Sequence, residues 1–399
     1  GSLDRVGFPL TELFVNHCNP RVFACDTETM VNISIPANLL PSDGRFGSGP
    51  SKIRSEQMDA LVLASRNVLG TSHRQAPVKN ILGSVREQLR QLFSLPADWE
   101  VVMGNGGASL FWDAATFGLI QNKSEHLVFG EFSSKFADAA RNAPHLDQPI
   151  VVEATPGDVP AVQLADVDTY CFTHNETSTG ASMQLARPAN SGDALVVVDA
   201  TSAAGGMAWA PNEVDVYYFS PQKGFGSEGG TWIALCSPRA VERIGAIAAT
   251  KRWCPPSLDL TIALDNSRAN QTYNTPSIST FILLNEQLRW MLDNGGLPWC
   301  VQRTTQSSQH LYTWATQRSF ATPFVTNPQH RSPVVGTIDL DGVDATQISN
   351  VLRENGVVDT ESYRKLGRNQ MRISMFPSVE PTDVQQLTAC IDYVVEQLS

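Results

Sequence analysis

One lysine and one aspartate stand out by the company they keep. Asp199 closes the apolar run in ALVVVDATSAAGG (194–206), and Lys223 follows a second run, VDVYYFS (214–220), inside PQKGFGSEGG (221–230). Both runs have the length and β-branched or aromatic composition of buried parallel strands, and both break into small polar and glycine residues. In an open α/β sheet the two side chains then project into the crevice at the carboxyl edge, where ligands bind. An amine and a carboxylate so placed suit pyridoxal phosphate: the amine condenses with the cofactor aldehyde, and the carboxylate keeps the ring nitrogen protonated, which makes the ring an electron sink. Each residue alone has a plainer explanation, a helix cap for the aspartate and a solvated loop for the lysine. Together they are separated by one strand–turn–strand unit, and Ser220, Gln222, Gly226 and Ser227 leave room for a cofactor.

Other segments place chemistry at the same edge. A short strand from Glu100 runs into GNGGASLFWDAATFGLI (104–120), and a strand, a glycine turn and a helix aim backbone N–H groups at a phosphate. This is neither a Walker loop nor a complete GxGxxG, and a simple tight turn is the alternative; beside the Asp/Lys pair, Gly107, Ala108 and Ser109 are the natural phosphate cup. Phe132, in GEFSSKF, ends another strand and could stack on a flat ring or pack in the core. HNETSTG (174–180) supplies short donors and acceptors, or caps a turn. In GTSHRQAP (70–77), Arg74 beside His73 has the fork that grips a carboxylate or phosphate, unless it is an ordinary solvated arginine. YRKLGRNQMR (363–372) gathers four cations in an acidic chain, either as a solvated loop or as a hand over an anionic substrate. Within it, Arg372 sits on a strand whose alternation can turn it inward, a candidate α-carboxylate clamp.

The elements that must hold these residues alternate. Strands are expected at 100–103, 127–130, 149–153, 169–174, 194–198, 214–219 and 231–236, with helices between them, the pattern of a doubly wound sheet. A helix capped by Ser51 is expected over 51–69, and another over 78–95. A helix from Ile278 stops at Gly295 and Gly296, and one over 301–317 leads into a smaller αβ region. That region has strands at 334–340 and 370–375, helices at 346–355 and 381–398, and Cys390 in its core. The expected organisation is a leader (1–42), a large domain (43–296) and a small C-terminal domain (297–399).

At 399 residues the chain can bury a large core, while a net charge of −11 argues against a nucleic-acid footprint. No run approaches a membrane span. The seven cysteines are scattered without CxxC spacing, so neither zinc nor a disulfide framework is indicated, and reduced thiols in the cytoplasm are the simpler account. No metal site is expected; His17 and Cys18, adjacent and without distant partners, are read as incidental. The first thirty residues show no secretory signal; Gly1 and Ser2 read as a cloning remnant and Met30 as a candidate start.

Taken as a set, SGP, TSHR, NGGA, GEF, NET, the strand-end Asp199, PQK and NTP (274–276) resemble the phosphoserine aminotransferase family, class V of the fold-type-I pyridoxal phosphate enzymes, from about Arg45 onward. The resemblance implies a large domain with a mostly parallel seven-stranded sheet between helices and a smaller C-terminal αβ domain. It implies a transfer of the amino group from glutamate to 3-phosphohydroxypyruvate, giving phosphoserine and 2-oxoglutarate, and leaves 4-phosphohydroxythreonine open as a second substrate. By it Lys223 matches the lysine that links to the cofactor, Asp199 the partner of the ring nitrogen, and Thr177 the hydroxyl beside the ring oxygen. Gly107, Ala108 and Gln222 match the phosphate cup, and Phe132 stands where a tryptophan is common. Asn274 and Thr275 match the pair that reaches the neighbouring subunit's cofactor, which implies a homodimer with shared sites. His73 and Arg74 resemble contacts to the substrate's distal anion, and Arg372 the α-carboxylate arginine. Two departures are visible: the family's His-Arg phosphate pair is here Tyr363-Arg364, with Arg368 in an altered loop, and Ala108 replaces a bulkier cationic residue. The rivals are an alanine–glyoxylate or serine–pyruvate type transaminase, then a cysteine desulfurase, and in another class a non-catalytic phosphate- or nucleotide-binding α/β protein.

Overall fold

A computed structural model describes residues 33–399, so His17, Cys18, Met30 and most of the expected leader lie outside the described residues. The strands are β1 (Glu100–Asn105), β2 (Ser124–Val128), β3 (Ile150–Glu153), β4 (Thr169–Thr173), a short hairpin of β5 (Asn175–Glu176) and β6 (Ala181–Ser182), β7 (Leu195–Asp199), β8 (Val216–Phe219) and β9 (Thr231–Cys236), then β10 (Ala321–Pro323), β11 (Val335–Leu340) and β12 (Gln370–Ser374). The helices are α1 (Ser55–Ala64), α2 (Ala76–Leu92), α3 (Ala108–Gly118), α4 (Glu131–Asn142), α5 (Pro238–Ala249), α6 (Leu260–Arg268), α7 (Ile278–Asp293), α8 (Gly296–Thr316), α9 (Ala345–Glu354) and α10 (Pro381–Leu398).

Seven strands form one sheet in the order β1-β9-β8-β7-β4-β2-β3. From β8 to β3 every neighbour is parallel, and β9 alone runs antiparallel to both β8 and β1. The central strands are apolar on both sides because both faces are covered. Val196, Val198, Tyr217 and Phe219 pack with residues of α2 and α7, whereas Leu195, Val197, Val216 and Tyr218 pack with residues of α3, α5 and α6. Full burial of one such side chain contributes about 1.5–3 kcal/mol, so a polar residue within these strands is costly and is kept for the ends.

Those ends build the site. Asp199 is the last residue of β7, and Lys223 lies in the turn after β8. β1 runs out through Gly106 and Gly107 into α3, and because β9 is antiparallel its starting end meets the same edge, where the Gly106 N–H donates to the Gly230 carbonyl at 3.0 Å. The second sheet, β10-β11-β12, is antiparallel with β11 central, and α8 packs against it. Within the expected leader, residues 34–42 bond to this region: the Ile35 N–H donates to Asn355 Oδ1 at 2.9 Å, and Ser42 donates through its N–H and hydroxyl to Asp383 Oδ1 at 2.8 and 2.7 Å. By their contacts Ser34–Ser399 group as one unit.

Several elements differ from the sequence reading, among them the strand expected at 127–130, which is Ser124–Val128. The first helix starts at Ser55 with Arg54 as N-cap and ends at Ala64. Ser51 is not its cap, because its N–H donates to the Gln222 carbonyl and its hydroxyl to the Lys223 carbonyl, which ties it to the lysine turn instead. The helix expected over 301–317 begins five residues earlier, at Gly296, directly after Gly295 in a left-handed conformation. β10, three residues ending in a proline, has too short a pattern to be read as a strand.

Candidate functional site

A cavity of about 450 Å³ opens at the carboxyl edge of the central strands, and Lys223, Asp199, Phe132 and Thr177 all line it. The Asp199 carboxylate is buried and fully engaged. Trp112 Nε1, from the second turn of α3, donates to Oδ2 at 2.9 Å, and the Thr201 N–H and hydroxyl donate to Oδ1 at 3.0 and 2.7 Å. Such charge-assisted bonds fix the carboxylate's plane. Lys223 Nζ donates to the Ser48 carbonyl at 2.7 Å. Burial, and after it the Arg372 guanidinium, push its amine down to about 8, against the opposing charges of Asp199 and Glu176. An amine in that range is partly neutral near pH 7, hence nucleophilic and able to carry a proton. Gly49, at φ +146°, passes directly beside the Lys223 side chain, where a Cβ would displace the amine.

The floor of the cavity is the start of α3. Gly107 is its N-cap at φ +79°, a left-handed geometry suited to glycine, and the first turn carries no acidic residue, so the N–H groups of Ala108 and Ser109 face the cavity with the helix's positive end. Gln222 Oε1 and Asn175 Oδ1, buried beside the cavity, have no hydrogen-bond partner. Buried orphan polar atoms are rare, and around a cavity they mark positions that a polar ligand completes. Anion cup, unpaired polar atoms, amine and carboxylate are together the donor set that pyridoxal phosphate needs, so the residues present fit the cofactor.

Phe132 sits in the first turn of α4, its ring 5.7 Å from Lys223 Nζ. Glu176 holds that turn: its buried carboxylate accepts from the Phe132 and Ser133 N–H groups at 3.3 and 2.9 Å and from the Ser133 and Ser178 hydroxyls at 2.8 and 2.7 Å. Thr177 follows, and its carbonyl accepts from Arg372 Nη1 at 3.2 Å, which carries the guanidinium of β12 to the cavity's side.

The remaining candidates lie elsewhere. His73, Arg74, Asn274 and Thr275 do not line the cavity, but the fold gathers them with one another. Thr275 Oγ1 and His73 Nδ1 are 3.3 Å apart, Arg74 donates to the Thr272 and Tyr273 carbonyls at 3.3 and 3.1 Å and to Gln271, and Asn274 accepts from Asn105. Arg364, in a single 3₁₀ turn, is exposed, and its side chain forms no hydrogen bond or ion pair among the described residues. Arg368 is committed to Asp339 at 2.6 Å and lies over the Phe324 ring. Among the described residues no group of three or more His, Cys, Asp or Glu could hold a metal ion, and no helix is long and apolar enough to cross a membrane.

Sequence reasoning passed over two residues that the geometry singles out. Trp112 bonds Asp199 across the sheet edge, and no local pattern announces that pairing. Glu176 had a visible signal, a charged side chain among small polar residues directly after a fully buried strand, where an ionised group needs partners.

The chain is similar to known proteins along most of its length. The sequence profile described as Aminotransferase class-V matches residues 46–387. A protein of Mycolicibacterium vanbaalenii named a putative phosphoserine aminotransferase is 58% identical over 369 residues, covering 92% of this chain and 99% of that one. A phosphoserine aminotransferase of Rhodococcus opacus is 57% identical over 366 residues, with 91% and 98% covered. Among solved structures, a phosphoserine aminotransferase of Cytophaga hutchinsonii superposes with a TM-score of 0.80 at 22% identity, over 88% of this chain and 99% of its own.

Proposed function

Because the chain belongs to the class-V aminotransferase family, enzymes that use pyridoxal phosphate, we propose that it moves the amino group between glutamate and 3-phosphohydroxypyruvate, giving phosphoserine and 2-oxoglutarate. The observation that carries this reading is the shared cavity: Lys223 and Asp199 line one space whose floor is the N-terminus of α3. When bound, the cofactor supplies a protonated heteroaromatic ring that accepts the electron pair released at the substrate Cα. The chain's own residues do the rest. The Ala108 and Ser109 N–H groups and Gln222 anchor the phosphate, Asp199 holds the proton on the ring nitrogen, and Thr177 stands beside the ring oxygen. Phe132 packs against the ring face. Lys223 Nζ takes the proton from the substrate Cα and returns it at the end of the transfer, a general base and acid whose lowered pKa matches neutral operation.

Arg372 binds the α-carboxylate, and the distal carboxylate or phosphate falls to Arg364, His73 and Arg74. The last two, with Asn274 and Thr275, act on the neighbouring subunit's site in a homodimer. The separation of this cluster from its own cavity supports that arrangement, as do the exposed apolar side chains of Val62 and Leu63 on α1 and the exposed ring of Tyr273 beside Asn274. Residues 43–296 form the large domain and 297–399 the small one, and the enzyme works in the cytoplasm. One spectrum of the purified protein tests the core of the reading: phosphoserine and glutamate both convert the cofactor absorbance of the holoenzyme to the aminated form, and alanine does so far more slowly. Equal conversion by alanine overturns the substrate assignment in favour of the alanine–glyoxylate type.

A further inference from the structure

Tyr363 occupies the position where the resemblance leads one to expect a substrate-phosphate histidine, and its surroundings give it a different task. Its ring lies between two residues of the site. The Arg372 guanidinium carbon lies over the ring, 5.4 Å from its centroid, and the Phe132 ring is 6.1 Å away, tilted by 57°. Its hydroxyl makes no hydrogen bond among the described residues, so what this side chain offers is its aromatic surface. The loop that carries it is pinned at two points: Lys365 pairs with Glu131 at 2.5 Å, next to Phe132 in sequence, and Glu361 bridges to Met371, next to Arg372. Arg372 needs such a brace, because Nη1 has only the Thr177 carbonyl and Nε is buried without a partner.

We propose that Tyr363 is a positioning residue: its ring holds Arg372 against the Thr177 carbonyl, in the orientation that grips a substrate carboxylate, and leaves the distal phosphate to Arg364. The inference rests on the function proposed above and deepens it. A cation over an aromatic face is attracted by the ring's quadrupole, and the attraction grows as water is excluded, as it is in part beside the half-buried Arg372 guanidinium. The ring also removes rotamers that Arg372 would otherwise sample, so the carboxylate meets a guanidinium already aimed at it. The two roles make opposite demands on the hydroxyl. A phosphate ligand needs it, whereas a brace needs only the ring.

The test uses the holoenzyme and two readouts, steady-state transamination of phosphoserine with 2-oxoglutarate, and calorimetric binding of succinate, a dicarboxylate that cannot be aminated. In Tyr363→Ala, KM for both substrates and Kd for succinate rise about two- to thirtyfold, with a smaller fall in kcat. Tyr363→Phe restores all three constants, and Tyr363→Leu, which keeps bulk without the π face, does not. Combining Tyr363→Ala with Arg372→Lys costs less than the sum of the two, because both remove the same grip. A Phe variant that loses affinity for phosphoserine while keeping succinate makes the hydroxyl a phosphate ligand and overturns the proposal, as does a Leu variant equal to the parent. A parent enzyme that leaves phosphoserine unreacted refutes the proposed function instead, and succinate binding still reports on Tyr363 separately.

Discussion

The inner wall of the cavity and its cationic rim are built on opposite plans. On the inner wall each charged group is engaged by its own chain: Asp199 by Trp112 and Thr201, Glu176 by the first turn of α4, Lys223 by the Ser48 carbonyl. Asp199 and Lys223 follow strands of the large sheet, and Glu176 lies in the short hairpin just after β4. Of the cations proposed as the rim, neither lines the cavity of its own chain: the Arg364 side chain is exposed and unengaged, and Arg74 rests on the carbonyls of a neighbouring loop. The difference follows from what each must bind. A cofactor is the same in every turnover, so groups aimed once and locked by hydrogen bonds need no reorganisation during reaction. Two substrates with different distal anions need cations that can shift, and an exposed arginine gives up little hydration to do so. Arg372 belongs to both regions, half-buried against Thr177 on one side and facing Tyr363 on the other.

Replacing Lys223 breaks the inner wall most severely. Lys223→Ala removes both the covalent link and the proton carrier, and kcat is expected to fall by a factor on the order of 10⁴ or more, measured by steady-state turnover of phosphoserine. The pH dependence of the parent carries a sign that can be checked. The neutral amine is the reactive form and prevails above the pKa; because burial and Arg372 lower that pKa to about 8, trapping of Lys223 in cofactor-free protein by an aldehyde and borohydride rises with a midpoint near pH 8. A midpoint near the ordinary lysine value of 10.5 would mean that the wall does not desolvate the amine.

Trp112→Phe tests the same wall more gently. It keeps an aromatic ring, with some loss of volume, and removes the one indole donor to Asp199, leaving Thr201 to hold the carboxylate. A lost hydrogen bond to a charged group costs about 1.5–3 kcal/mol, so a fall in kcat of about tenfold or somewhat more is expected, with KM for glutamate nearly constant. A rise in KM without a fall in kcat would place Trp112 outside the groups that act on the ring.

How much of this was legible beforehand divides along the same line. Asp199, Lys223 and the Gly107 turn could be read because the grammar of a strand end is local: an apolar run, a break, and a polar residue at the break. The seven strands and the smaller αβ region follow from periodicity in the same way. The order of the strands does not, since placing β9 between β1 and β8 is a matter of pairing across the chain. Trp112 escaped for that reason, because its partner is chosen by β7 lying beside β8 and not by any neighbour in sequence. Ser51 has the composition of a helix cap and is used to tie down the lysine turn, a tertiary contact that overrides local propensity. On the rim, a cluster of cations announces an anion but not which of Arg364, Arg368 and Arg372 meets it. The pairing of Arg368 with Asp339, set by the register of β11 against β12, withdraws that one from service.

Arg364 gives the smallest expected effect and the sharpest view of the rim. Its side chain is exposed and has no hydrogen bond or ion pair among the described residues, so Arg364→Ala should leave the melting temperature within about a degree or two, as surface changes of up to about 0.5 kcal/mol do. Its work is then confined to the substrate. An exposed cation meeting a phosphate contributes on the order of 1 kcal/mol, so KM for phosphoserine rises about three- to tenfold, by more than KM for glutamate does. Because the interaction is solvent-screened, the parent's KM for phosphoserine should climb with added salt, and the variant's should climb less steeply. If instead Arg364→Ala is silent and Arg74→Ala produces the rise, the distal anion is held from the His73–Arg74 side alone, and the mobile half of the rim is supplied by the neighbouring subunit.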